Sequence, residues 1–277
     1  MRAVVLTNQQ SNQNALVSKL ARHVQIVAVV HSRNIPKKKP TMRKRFGAFR
    51  GKVAVRAWGG RLLDAWKDML RRYEAGYEPF RAAPVLEVDN VNDERTFEMI
   101  DEARPELVIV SGTNIVGRKL ISHSQKYGSI LNLHTGISPY VKGGPNCTNW
   151  CLAKGWFHLI GNTVMWLDAG VDSGELIATE RTPLDGSESL ADLHWKVMEH
   201  AHDMYVHTAA RLKGGASVPR VPQYEVAEGI EFRSADWTGM KMKLAVRNFD
   251  RGYRRYFENV SQNADAEAVK LFPLDRG

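Results

Sequence analysis

Cysteine is nearly missing from this chain of 277 residues: Cys147 and Cys151 lie four apart and match neither a disulfide framework nor a zinc-binding spacing. Two reduced thiols in a cytoplasmic protein are expected. Long hydrophobic runs are missing as well. No stretch approaches the roughly 18 apolar residues of a membrane span, so no membrane insertion is expected. The opening Met-Arg-Ala-Val-Val-Leu-Thr reads as a first buried strand rather than a secretory leader. Acidic residues are absent between Arg33 and Arg56, where ten cations fall (Arg33, Lys37, Lys38, Lys39, Arg43, Lys44, Arg45, Arg50, Lys52, Arg56); this run can account for the whole net charge of +9. It favours phosphates, nucleic acid or an anionic membrane surface, with a solvated surface loop as the alternative.

With 43% apolar residues, the chain can bury one sizeable core and carry a small appendage. Its first half alternates strand and helix. Arg2 to Thr7 and Val24 to Val30 read as strands around a helix from Asn12 to His23, and the near-continuous apolar character suits a parallel sheet covered on both faces. After the basic stretch comes an amphipathic helix from about Arg61 to Tyr73. Strands then follow at Pro84 to Val88, Glu106 to Ser111 and Ser129 to Leu133, separated by helices from Asn92, with Asn92 as its cap, and near Arg118 to Lys126. Later elements are a helix near Asn146 to Lys154, strands near Thr163 to Leu167 and Leu176 to Thr182, and a long helix from Ser189 to about Leu212. The expected fold class is α/β, a Rossmann-like, mostly parallel sheet flanked by helices. Residues 1–212 are read as the catalytic domain, with an insertion over about 31–75, and residues 213–277 as a small C-terminal module.

Chemistry concentrates between Ile130 and Ile177. A short apolar strand carries Asn132 and His134 two residues apart, so both project from one face at its carboxyl end. That is where ligands bind in open α/β sheets. A Ser-Pro-Tyr-x-x-Gly loop, a Gly-x-Thr strand start and an Asp-Ser-Gly turn at Asp172 follow. Singly, each has a bland reading as an edge amide, a packed imidazole or an ordinary turn; in this order and spacing they point to a site. By contrast, His194, His200, His202 and His207 do not read as a metal site, because helical residues two apart face different sides.

This pattern resembles the formyltransferase family that uses 10-formyltetrahydrofolate. The resemblance implies Asn132, His134 and Asp172 as the catalytic set. Moving a formyl group between nitrogens passes through a tetrahedral carbon bearing an oxyanion, which calls for a hydrogen-bond donor and a group that moves protons near neutral pH. The Asn132 amide suits the first task and the His134 imidazole the second; Asp172 would orient the imidazole or an ordered water. By resemblance, the donor's pterin would contact Gly112, Ile115, Asp168, Ala169, Gly170 and Val171, and no metal is implied. The sequence departs from the family in two places. Thr135-Gly136 stand where Pro-Ser is common, a change expected to alter loop stiffness without touching the chemistry, and Met165 stands where many members carry a second His.

Three acceptors compete within the family. The basic insertion resembles that of methionyl-tRNA formyltransferases, whose larger C-terminal domain grips the tRNA, whereas the short residues 213–277 match the sugar N-formyltransferases better. The glycinamide ribonucleotide enzymes lack both features. The expected acceptor is therefore a nucleotide-linked amino sugar used for surface polysaccharide (lipopolysaccharide) synthesis, with Lys142 and Asn146 as candidate contacts and a homodimer implied by resemblance. Nucleic acid is the weaker expectation, either as tRNA substrate or as partner of a non-catalytic binding protein on this fold.

Overall fold

Strand β1 (Arg2–Thr7) is buried along its whole length after Arg2, the environment of a central strand in a sheet covered on both faces. It lies between β2 (Gln25–Ser32) and β4 (Leu107–Val110), with β3 (Val85–Val88) beyond β2 and β5 (Ser129–His134) beyond β4, all paired in parallel. Two antiparallel strands, β7 (Gly161–Trp166) and β8 (Leu176–Arg181), complete a seven-stranded sheet in the order β3-β2-β1-β4-β5-β7-β8. The computed structural model describes residues 1–35, 59–144, 146–168, 174–259 and 268–276. Of the ten cations in the basic stretch only Arg33 is among them, paired with Glu87 at 3.4 Å and Asp89 at 3.6 Å. Lys37 to Arg56 lie outside the described residues, as do Ala169, Gly170, Val171 and Asp172.

Alternation along the strands divides the core. Val5, Ile109 and Leu131 meet Leu16 and Leu20 of α1 (Ser11–Leu20) and Met204 and Tyr205 of α6 (Leu190–Lys213) on one face. On the other, Val4, Val108 and Ile130 meet Ile100 of α3 (Glu94–Ala103) and Leu120 of α4 (Arg118–Ser124). The amphipathic helix read after the basic stretch is α2 (Gly60–Gly76), which lays Met69 and Tyr73 on Ala15 and Met198. A capping box between Ser189 and Asp192 starts α6. One cap differs from expectation. Asp93, not Asn92, caps α3, its side chain accepting from Arg95 N; Asn92 is engaged elsewhere.

The chain beyond α6 packs back over the sheet's carboxyl end. A short strand, β6 (Val141–Gly143), pairs in parallel with β9 (Ile230–Phe232). Gly143 (φ +89°) is required there, because a Cβ would lie 2.2 Å from the Phe232 carbonyl oxygen. Trp150 of α5 (Cys147–Lys154) stacks on Phe232 at 4.4 Å and meets Trp237 edge-on. Met242 and Ala245 of α7 (Gly239–Asn248), then a π turn (Phe249–Tyr253) leading into α8 (Arg254–Glu258), join the same apolar cluster.

Candidate active site

The parallel register of β4 and β5 sets Asn132 beside Val110, and the antiparallel register of β5 and β7 sets Asn132 opposite Met165 and His134 opposite Thr163. Asn132 and His134 thus share the face that carries Ile130, at the carboxyl end of the sheet. Met165, read as standing in place of a second His, is fully buried, with Gln223 Nε2 3.9 Å from its sulfur.

His134 is only 8% exposed, and its surroundings restrict its protons. Nε2 lies 3.2 Å from the carbonyl oxygen of Val141, which can only accept, so a hydrogen on Nε2 can donate to it. The Cys147 sulfur sits 3.4 Å from the same nitrogen and donates to the Gly143 carbonyl at 3.4 Å. A Cβ on Gly136 would stand 2.6 Å from His134 Nε2. Of Thr135-Gly136, read from the sequence as a matter of loop stiffness, Gly136 is what lets the loop close against the imidazole. Thr163 fixes that loop from the next strand, its hydroxyl donating to Gly136 O at 2.7 Å and accepting from Ser138 N at 2.9 Å. The Gly-x-Thr motif owes its place to this bridge.

Asn132 opens into a cavity of about 400 Å³ walled by the loop of residues 112–116, Gly143, Gly144, Leu167 and Ser234. Gly112 and Ile115 are in that wall, and Gly112 adopts φ +69°. Leu167 also lines a second cavity of about 990 Å³, which contains Asp168, Lys142, Trp166, Arg220 and Tyr224. Leu167 thereby meets the loop after β4 in one cavity and Asp168 lines the other, in volumes of the size small-molecule sites need. Asn146 is occupied differently from Lys142: its side-chain oxygen accepts from Asn149 N at 3.0 Å and caps α5.

Sequence reasoning missed the far wall. Arg220 lies 4.1 Å over the Trp166 ring and pairs with Glu175 at 2.8 Å, and Gln223 Nε2 donates to Gly174 O at 2.7 Å. The one available signal was the Val-Pro-Arg-Val-Pro-Gln segment, whose prolines mark an extended run without saying where it docks. The histidines of α6 separate. His200 binds Glu180 at 2.9 Å, while burial lowers His194 to about 4 and takes His202 well below its ordinary value. Among the described residues no group of His, Cys, Asp and Glu is placed to hold a metal ion.

An amide and an imidazole on one face of β5, the amide at a cavity walled by residues 112–116 and Leu167, can be set beside known proteins. Solved structures with this fold include a sugar N-formyltransferase from a Shewanella species (TM-score 0.55, 14% identity, 90% of this chain and 87% of that one). Another is a 4-N formyltransferase from Francisella tularensis (TM-score 0.56, 13% identity, 89% and 87%). By sequence, methionyl-tRNA formyltransferases of Syntrophus aciditrophicus and Citrifermentans bemidjiense are each 29% identical, over 140 and 136 residues. These matches cover 50% and 49% of this chain but only 44% and 42% of the relatives, so the chain spans less than half the length of the curated proteins it matches. The profile described as "Formyl transferase" matches residues 1–209, the span that carries β1 through most of α6 and both Asn132 and His134, and the chain belongs to that family.

Proposed function

We propose that this protein is an N-formyltransferase that moves a formyl group from 10-formyltetrahydrofolate to the amino group of a nucleotide-linked amino sugar. The observation that carries the reading is the placement of Asn132 and His134 on one face of β5, with Asn132 at a cavity walled by residues 112–116 and Leu167. Gly112, Ile115 and Asp168 would hold the donor, largely through backbone groups, and the donor supplies the one-carbon unit. The Asn132 carboxamide provides an N–H for the oxygen that gains charge at the reacting carbon. His134, with Nε2 placed 3.2 Å from Val141 O, takes a proton from the attacking amine and returns it to the leaving nitrogen. Asp172 completes the set by resemblance.

A small-molecule acceptor is supported by the way the chain after α6 walls the cleft. Arg220, Gln223, Tyr224 and Gly229 share the larger cavity with Lys142, leaving about 990 Å³. Transfer to methionyl-tRNA is the second reading, favoured by the names of the sequence relatives and by the cation run from Arg33 to Arg56. Incubation with 10-formyltetrahydrofolate and a panel of nucleotide-linked amino sugars, beside charged initiator tRNA, separates the two by the mass of one added formyl group. A modified sugar supports the first reading. Modified tRNA alone replaces it with the second, and no product in either arm removes both. His134→Ala should abolish most of whichever transfer is found.

A further inference from the structure

The loop between β4 and α4 has no regular structure, yet side-chain amides from the loops after β1, β2 and β3 hold its backbone. Gly112 O accepts from Asn8 Nδ2 at 2.7 Å and from Asn34 Nδ2 at 3.1 Å, while Asn34 Oδ1 accepts from Asn114 N at 2.6 Å. Ile115 O accepts from Asn92 Nδ2 at 2.9 Å, and Asn92 Oδ1 accepts from Gly117 N at 2.6 Å. A Cβ on Gly117 would lie 2.8 Å from that oxygen, so glycine permits the approach. At the centre, Asn114 Oδ1 accepts from Ser32 Oγ at 2.7 Å and Val91 N at 3.0 Å, and its Nδ2 donates to Asn90 Oδ1 at 3.1 Å and Ile115 O at 3.2 Å.

A carboxamide suits this work because one group both donates and accepts; a carboxylate only accepts and an ammonium only donates. Asn34 also adopts φ +57°, a left-handed conformation that asparagine tolerates better than most residues. Ile115 stands on the locked loop with its side chain outward, the residue 73% exposed, while its carbonyl is tied from behind by two amides. An isoleucine fixed in that way is a preformed apolar contact.

We infer that Asn34, Asn92 and Asn114 are positioning residues that preorganise residues 112–117, and Ile115 in particular, for the planar ring of the formyl donor. The inference rests on the formyl-donor reading of this cleft. Its physical content is that the loop is ordered before the ligand arrives, so binding does not carry the entropy of ordering it.

The test is the affinity of 10-formyl-5,8-dideazafolate, a stable donor analogue, for the wild-type chain and for Asn114→Asp, Asn92→Ala and Ile115→Ala, with KM measured for donor and acceptor separately. Asn114→Asp keeps the shape and the acceptor but places an oxygen against Asn90 Oδ1 and Ile115 O. The expected result is about a tenfold or larger rise in Kd and in donor KM, with acceptor KM within about twofold to threefold. Lowering the pH through the carboxyl's titration should restore affinity in Asn114→Asp, because the protonated group donates again, and should leave Asn92→Ala unchanged. Asn92→Ala and Ile115→Ala sit at the rim and keep the test alive if the central variant does not fold. Unchanged analogue affinity in all variants, or equal weakening toward donor and acceptor, overturns this inference alone. Failure of the wild type to bind the analogue overturns the donor reading with it.

Discussion

The hydroxyl oxygen of Tyr205 lies 2.7 Å from the carbonyl oxygen of Leu131 and accepts from the Val110 amide at 3.0 Å, wedged between β4 and β5 one residue before Asn132. The side chain is fully buried, and burial holds the phenol well above its usual value, so it remains a neutral donor and acceptor at every working pH. Its ring belongs to the cluster under the sheet while its polar tip joins the two strands that deliver the site. Tyr205→Phe should strand the Val110 N–H and lower stability by about 1–3 kcal/mol. Loosening the strand at Asn132 should reduce kcat by about threefold to tenfold, since small misplacements at a reacting centre are expensive. Urea titration and steady-state kinetics check both; a variant with lower stability but unchanged kcat would show that Tyr205 only packs.

Much of this arrangement was legible in the sequence, for identifiable reasons. The Leu-Val-Ile-Val of β4 announces a strand buried on both faces, and alternation alone puts Asn132 and His134 on one side of β5. The misreadings all concern side chains whose partners are distant in sequence. Asn92 has the composition of a helix cap, but the adjacent Asp93 takes that task and Asn92 spans to Gly117 and Ile115. Cys147 read only as a reduced thiol four residues from Cys151, and the turn through β6 brings its sulfur to His134. Arg220 and Gln223 were invisible for the same reason, since no local pattern records which cleft an extended segment will cross.

Gly136→Ala offers a sharp test of the loop that follows His134. The new methyl would meet His134 Nε2 at 2.6 Å, Cys147 Cβ at 2.9 Å and Val141 O at 2.9 Å, so the imidazole or the loop must move. Transfer should fall about a hundredfold, the scale of a misplacement of about 1 Å, while the fold persists. Circular dichroism beside turnover decides the matter, and near-normal turnover in a folded variant would mean that the imidazole contact is not needed for chemistry.

Gln223, from the chain after α6, ties Gly174 O at 2.7 Å, where a Cβ on Gly174 would stand 1.6 Å from Trp166 O. Gln223→Ala removes that tether, which should lower stability by about 1 kcal/mol. It should also reduce kcat more than either KM. Arg220→Ala, which removes the guanidinium over Trp166, should instead raise a KM with little change in kcat, because it lines the cavity at a distance from Asn132 and His134. Identical kinetic effects for the two variants would contradict this division of the wall.

Glu180 governs how acid loosens the last described residues. One carboxyl oxygen accepts from Leu274 N at 2.7 Å and from Arg276 at 3.0 Å; the other accepts from Arg276 at 2.7 Å and His200 at 2.9 Å. Burial by itself would raise this carboxyl, but the hydrogen bonds from His200, Arg276 and the Leu274 amide outweigh it and bring the value down to about 2 from an ordinary 4.5. Because the folded value lies below the unfolded one, the stabilisation is complete above about 4.5 and is lost as pH falls toward about 2. The segment from Phe272 to Leu274, held to β8 through Thr179 and by burial of Leu274 in the core, should therefore become susceptible to protease across that acid range. Glu180→Gln should already show the loosened segment at neutral pH, with no further acid dependence from this site. A stability difference between wild type and Glu180→Gln that stays constant as the pH is lowered would rule out the carboxylate as the clamp.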